Sequence, residues 1–282
     1  MGALRDLVRR GERWQELDVV SKPLTRVVGR LVRPRIVRNV LSGTLFGHPA
    51  HPPLTDIPVG TWTTATVLDA VGGSRCEQTA DVLITAGVIA AVPTAATGFN
   101  DWADTYGSET RVGLLHASAN SIALGLYGAS LTARRRGRRR AGRVLARGGM
   151  ATLFVGGYLG GHLSYVRGVG INQAAWEGGP ADWTPAMAES DLPAGQSRRV
   201  DIAGAAVLLY RQGERILAIG SVCSHAGGPL EQGTITEERV TCPWHGSIFC
   251  LTDGTVHRGP ARTPQPQYQT RVRNGQIEIR RR

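Results

Sequence analysis

Three stretches of this 282-residue chain carry no charged side chain for eighteen residues or more: Val82–Phe99, Val112–Ala133 and Gly148–Val166. At 1.5 Å rise per residue, each is long enough as a helix to cross a hydrocarbon core about 30 Å thick. A fourth stretch, Leu54–Val71, is weaker, because Asp56 and Asp69 bracket only twelve uncharged residues. Short polar loops separate the four. Their interiors are rich in Gly, Ala, Ser and Thr, the residues that let membrane helices approach closely. The pattern predicts an all-α transmembrane four-helix bundle over residues 47–166, with a soluble helical bundle as its rival. Beyond Pro193 the period changes. Arg199–Leu209, Arg215–Ser221, Val240–Pro243 and Gln276–Arg280 have the alternating or apolar character of strands, which predicts an all-β domain over 191–282. The chain therefore reads as multidomain, with a basic N-terminal tail (1–46) and a linker (167–190).

Charge sharpens that division. The formal net charge is +11, and the first 53 residues alone hold ten Lys or Arg. The positive charge comes in blocks that flank apolar stretches. No aromatic-interleaved basic patch or helix-turn-helix pattern accompanies it, so nucleic acid is not the expected partner. A lipid bilayer is. Four cysteines are too few and too scattered for a disulfide framework. Four spans would make the protein multi-pass in the cell membrane, with both chain ends on one side. The basic tail and the run Arg134–Arg140 lie on opposite sides, so the positive-inside rule contradicts itself. Arg9-Arg10 is not followed by an apolar run and makes a poor export signal. The Arg cluster ahead of the fourth span could act as an internal export signal, which keeps the outward orientation open; the lack of a disulfide favours the cytoplasmic side for the C-terminal domain.

The most specific pattern lies in that domain. Cys223-Ser224-His225 is followed, after sixteen residues, by Cys242-Pro243-Trp244-His245. Two Cys-then-His pairs at this spacing are the ligand set of a Rieske [2Fe-2S] centre, two thiolates on one iron and two imidazoles on the other. Thiolates stabilise a buried ferric ion, while neutral imidazoles remove two negative charges and make their iron easier to reduce. Structural zinc is the rival reading, although zinc more often takes Cys-x-x-Cys or His-x-x-x-His spacing. Glycines follow both pairs, giving turns in which backbone N–H groups can approach cluster sulfurs.

On these residues, about Asp191 to Arg282 resembles a Rieske ferredoxin-type domain, and Gly259-Pro260-Ala261 resembles the proline-bearing loop that covers the cluster in that family. The departures inform as well. The loop disulfide of high-potential Rieske proteins has no counterpart, since Gly228 and Trp244 stand where its cysteines would be. Ser247 is present, but Phe249 replaces the tyrosine that would donate to the cluster. The resemblance thus implies a potential toward the low end of the roughly −150 to +300 mV Rieske range. It also implies one-electron transfer between partner proteins or a quinone, with no substrate chemistry in this chain. No 2-His-1-carboxylate iron site of an oxygenase is apparent. His48-Pro49-Ala50-His51-Pro52-Pro53 and Pro58-Val59-Gly60, with Thr97-Gly98-Phe99-Asn100-Asp101-Trp102, resemble a four-helix membrane family, domain-of-unknown-function family 2231. That resemblance implies a fold and no activity.

Four spans would gather His51, Asp101, Asp104, His116 and His162 on one face of the bundle. Matched depth on neighbouring helices is what a haem, a metal or a quinone head-group site requires. The alternative is that these histidines bond Asp101, Asp104 or helix-end carbonyls and tie the bundle together. Trp62, Trp102 and Tyr106 read as interfacial anchors, Asp69 as a helix-end group, and Trp176 and Trp183 as membrane-docking residues. A further alternative makes the bundle a transporter or sensor regulated by the cluster's redox state.

Overall fold

The computed structural model describes residues 2–282. They divide into two compact units, one built from 2–33 and 50–169, the other from 34–49 and 170–282.

The first unit is helical. α1 (Gly2–Arg13) and α2 (Asp18–Leu31) precede the four long helices α4 (His51–Val71), α5 (Glu77–Trp102), α6 (Gly107–Arg135) and α7 (Arg139–Gly161), the last continued by a π-turn over His162–Val166. α4 pairs chiefly with α5, and α6 with α7. The region expected to be a basic tail therefore folds into helices; Met1, its first residue, lies outside the described residues. The bidentate pairing of Arg111 with Asp18, at 2.7 and 3.0 Å, ties α2 to α6.

The interior of the bundle is made of small and polar residues. α5 buries Ala80, Ile84, Gly87, Thr94, Thr97 and Asn100. It exposes Val82, Ile89, Val92 and Phe99. Trp62 and Tyr127 stack at 4.5 Å between ring centres in the middle of the bundle. The Trp62 Nε1 donates to Ile84 O at 3.3 Å, and the Trp102 Nε1 donates to Thr110 O at 2.9 Å. Both indoles are thus core residues and not interfacial anchors, because each N–H finds a carbonyl inside. Asp69, in the last turn of α4, is a helix-end group but a buried one rather than an interfacial one. It is buried against Arg134, whose Nη1 lies 3.0 Å from Asp69 and 3.2 Å from Asp81. Among the described residues one helical stretch, Gly73–Trp102, is long and apolar enough by itself to cross a membrane. The other three long helices carry buried charge or many glycines, which lowers their apolarity.

The second unit is all-β around short helical turns. Its strands are β1 (Thr184–Ala188), β2 (Ser197–Ile202), β3 (Ala205–Gln212), β4 (Arg215–Gly220), β5 (Thr234–Thr236), β6 (Arg239–Thr241), β7 (Ile248–Cys250), β8 (Val256–Arg258), β9 (Tyr268–Arg273) and β10 (Gln276–Arg281). They form antiparallel sheets in the orders β1-β10-β9, β2-β3-β4 and β5-β6-β7-β8. The first two enclose one core, in which Ile277 and Ile279 alternate with Gln276 and Glu278 along β10. The third sheet and the loops beside it enclose another, around Leu208, Ile219, Leu230, Phe249 and Leu251.

Two expectations change here. Arg199–Leu209 is two strands of a hairpin, turned at Ala203 (φ 47°) and Gly204 (φ 74°), the pair of positive φ values that a two-residue hairpin turn needs. Most of the 167–190 linker, from Gly170 on, is part of the domain, since β1 pairs with β10 from Thr184↔Ile279 to Ala188↔Gln276. Trp183 is held between the guanidinium groups of Arg271 and Arg280, at 4.4 and 4.7 Å. That stacking within the sheet replaces the membrane-docking role expected of it.

The second unit also recruits α3 (Arg35–Ser42) and the turn after it, more than 120 residues away in sequence.

Candidate metal centre

Two loops of the β5–β8 end of the second unit have the same construction. In the first, Cys223 N donates to Gly228 O at 2.9 Å and Gly227 N to Cys223 O at 2.8 Å. In the second, Cys242 N donates to Ser247 O at 2.8 Å and Gly246 N to Cys242 O at 3.1 Å. The fourth residue after each cysteine is a glycine at positive φ, 78° for Gly227 and 70° for Gly246. Only glycine takes that turn without strain. Each loop so curls its backbone around its own sulfur. The N–H groups of His225 and Ala226 face Cys223 Sγ, and those of Trp244 and His245 face Cys242 Sγ.

The loops bring all four predicted residues together. The two thiols share a hydrogen bond, and both cysteines are buried. The His225 and His245 ring centres are 4.9 Å apart, with planes at 86°. Gly228 is packed between the loops; a Cβ there would lie 2.8 Å from Cys242 Sγ. Contact with Cys223 and two backbone N–H groups pushes the Cys242 thiol down to about 6, while the Cys223 thiol, holding the shared proton under burial, is pushed up. Two sulfurs in contact, each facing backbone N–H groups, are placed to bind a metal as thiolates. Burial, then the charges of His245, Arg262 and Arg38, hold His225 well below the usual imidazole range, so the ring is a neutral ligand. Two soft sulfurs on one side and two imidazoles on the other fit a [2Fe-2S] group of the Rieske kind. None of the four cysteines forms a disulfide.

A third loop, residues 258–265, closes over the pair. Ala261 N donates to Ser247 Oγ at 3.0 Å, Ser224 Oγ to Thr263 O at 2.7 Å, and Arg258 Nη1 to Gly246 O at 2.6 Å. Ser247 Oγ therefore accepts from the backbone and keeps its own proton for another acceptor. Phe249 is fully buried in the core beneath.

What secures this third loop from outside leaves no mark along the chain. Gly259 N donates to Asn39 Oδ1 at 2.8 Å, and Asn39 Nδ2 to His257 O at 3.4 Å. Thr44 Oγ1 donates to Ala261 O at 2.9 Å, and Arg262 Nε to Ser42 O at 2.7 Å. Gly259 lets the strap approach; a Cβ there would lie 2.6 Å from Thr44 Oγ1. Separations of about 220 residues leave no periodic signal.

The histidines of the helical unit do not all converge. His162 Nε2 lies 3.0 Å from Glu12 Oε1 on α1, which separates it from the other two. His51 and His116 do meet, their ring centres 6.4 Å apart. His51 Nδ1 bonds the helix carbonyl of Thr94 and His116 Nδ1 that of Gly156.

Fold and site define an iron–sulfur protein of the Rieske class with a helical domain joined to it. Residues 182–269 match the Rieske [2Fe-2S] domain family, and residues 47–173 match a family described as a predicted membrane protein, DUF2231. Ferredoxin CarAc of Metapseudomonas resinovorans is 32% identical over 98 residues, 34% of this chain and 92% of that protein. Apoptosis-inducing factor 3 of Mus musculus is 33% identical over 90 residues, 32% of this chain; the chain spans only 15% of that relative's length. A solved ferredoxin of carbazole 1,9a-dioxygenase from Nocardioides aromaticivorans IC177 is 25% identical, covering 36% of this chain and 98% of that one, with a TM-score of 0.34. This chain belongs to the Rieske [2Fe-2S] family, and its cofactor is a [2Fe-2S] cluster.

Proposed function

We propose that this protein is a membrane-anchored electron carrier whose cluster is held by Cys223, His225, Cys242 and His245. The observation that carries the assignment is the pair of equivalent loops, which set two thiols in contact and two imidazoles 4.9 Å apart. A bound cluster supplies a one-electron couple. The chain's part is to cradle the two sulfurs with backbone N–H groups, to present the two imidazoles, and to exclude water with the 258–265 loop. Trp244, 53% exposed and 6.5 Å from the His245 ring, offers an apolar contact for a partner protein that donates or accepts the electron. The likeness to ferredoxins supports partner proteins over a small substrate.

Anchoring in four spans rests on the polarity of the bundle. α4, α5 and α7 turn Val67, Val71, Ile89, Val92, Phe154 and Val155 outward while Gly, Ala and Thr fill the inside. That distribution suits lipid as the surrounding medium. Free cysteines favour the cytoplasmic side for the cluster.

Purified full-length protein in detergent tests the assignment. Reduction should give a Rieske-type EPR signal, with about two irons per chain in this domain. His225→Ala and His245→Ala should each abolish it. A signal retained in both variants would overturn the ligand set.

A further inference from the structure

We propose that His51 and His116 form a bis-imidazole site for a haem iron in the helical unit. Each ring is fixed by a neighbouring helix. His51, at the start of α4, sets Nδ1 3.0 Å from Thr94 O and 3.2 Å from Thr97 Oγ1, both on α5. His116, on α6, sets Nδ1 2.8 Å from Gly156 O on α7. A carbonyl only accepts, so in each ring Nδ1 carries the proton and Nε2 the lone pair. A backbone carbonyl on the far nitrogen is how metal-bound histidines are oriented and kept in the ligating tautomer. Asn120, one turn beyond His116, bonds His116 O at 2.9 Å and lies 3.3 Å from both ring nitrogens, holding that ring from the side.

The close seating of both rings depends on glycine. A Cβ at Gly98 would lie 2.7 Å from His51 Cε1, and one at Gly160 would lie 2.9 Å from His116 Cε1. Each helix pair, α4 with α5 and α6 with α7, thus holds one imidazole in a glycine notch.

The separation selects the kind of metal site. The ring centres are 6.4 Å apart and the planes are at 80°. With metal–nitrogen bonds of about 2.0–2.1 Å and a ring centre about 1.2 Å behind its nitrogen, two imidazoles trans across one metal have centres roughly 6.4 Å apart; a tetrahedral pair would come to roughly 5.2 Å. The observed separation matches the trans value. Among the described residues no third His, Cys, Asp or Glu joins His51 and His116 in a group that could hold a bare ion. A metal between these two rings must therefore arrive with its own equatorial ligands, and a porphyrin brings four nitrogens in a plane. His162, bonded to Glu12, takes no part. The site stands on its own geometry and does not depend on the electron-carrier reading.

The test uses the full chain, produced with a haem precursor and purified in detergent. Expected are about one haem per chain by pyridine haemochrome, a Soret band, and a low-spin ferric EPR signal from two nitrogen ligands. His51→Gly and His116→Gly should each lose the haem or turn it high-spin, and added imidazole should restore the low-spin spectrum. His162→Ala should keep it. The Rieske-type EPR signal, measured on the same samples, reports folding and the cluster separately. Haem absent on isolation and no Soret shift on adding hemin to the wild-type protein would overturn the site. So would an unchanged low-spin spectrum in both glycine variants.

Discussion

Asn39→Ala isolates what the strap contributes to the cluster end of the β unit. In the native chain the Asn39 carboxamide accepts from Gly259 N at 2.8 Å and donates, at a long 3.4 Å, to His257 O. The first bond is buried and no alternative acceptor comes with an alanine. A buried donor left unsatisfied costs about 1–3 kcal/mol, whereas the long second bond adds little. For a unit of about 130 residues, each kcal/mol lowers Tm by roughly 3–5 °C. The expected fall is therefore about 3–15 °C, read from the visible circular dichroism of the cluster as full-length protein is heated in detergent. Asn39→Asp keeps an acceptor for Gly259 N–H and should lose less than the alanine variant. Equal melting of wild type and Asn39→Ala, within about 1 °C, would show that the strap only rests against the 258–265 loop and does not clamp it.

Two further outcomes follow from buried groups. Phe249→Tyr should raise the reduction potential, since an added hydroxyl donating to a ligand sulfur favours the reduced state by at most about 1.5–3 kcal/mol; protein-film voltammetry reads it, and an unaltered potential would mean that the hydroxyl does not reach a sulfur. Arg134→Met should cost about 3–5 kcal/mol of unfolding free energy, because it leaves Asp69, whose side chain is 4% exposed, with only the longer Arg143 contact at 3.8 Å. Arg134→Met with Asp69→Leu should recover most of that loss, and a double variant no better than the single one would refute the pairing.

What could be read from the sequence divides by physical cause. The four cluster residues were legible because the chemistry demands fixed residue types at short, fixed spacings. Ser247 and Phe249 followed from the same loop. The asparagine strap was not legible, since one carboxamide joined to a glycine 220 residues later leaves no pattern along the chain. Turn chemistry explains the strand boundaries. Asn274-Gly275 turns β9 into β10 with φ of 51° and 72°, the usual residues for that turn, but Ala203-Gly204 does the same work without them, and β2 and β3 read as one strand. In the first 46 residues the basic composition obscured the helical spacing of Val20, Leu24, Val27 and Leu31. Trp62 and Trp102 looked like anchors because indoles favour interfaces, yet a carbonyl on a neighbouring turn or helix is an equally good partner for an indole N–H.

The bundle shows why counting charges along a helix and asking what surrounds it are different questions. α4 and α6 lose apolarity through Asp69 and Arg134, yet both groups point inward and neutralise each other there. A soluble bundle places its large apolar side chains between helices and its charges outside. Here α5 does the reverse, with Ile89 67% exposed, Val92 66% exposed, and Gly87 and Thr94 buried. Exposing those side chains to water would forfeit about 1.5–3 kcal/mol for each one, a cost that four helices sharing the pattern would multiply and that a hydrocarbon surrounding removes. The inward-facing glycines then have a second use in our reading. They bring the helices close enough for His51 to reach a carbonyl of α5, and His116 one of α7, so the packing that suits a lipid surrounding also fixes the imidazole pair.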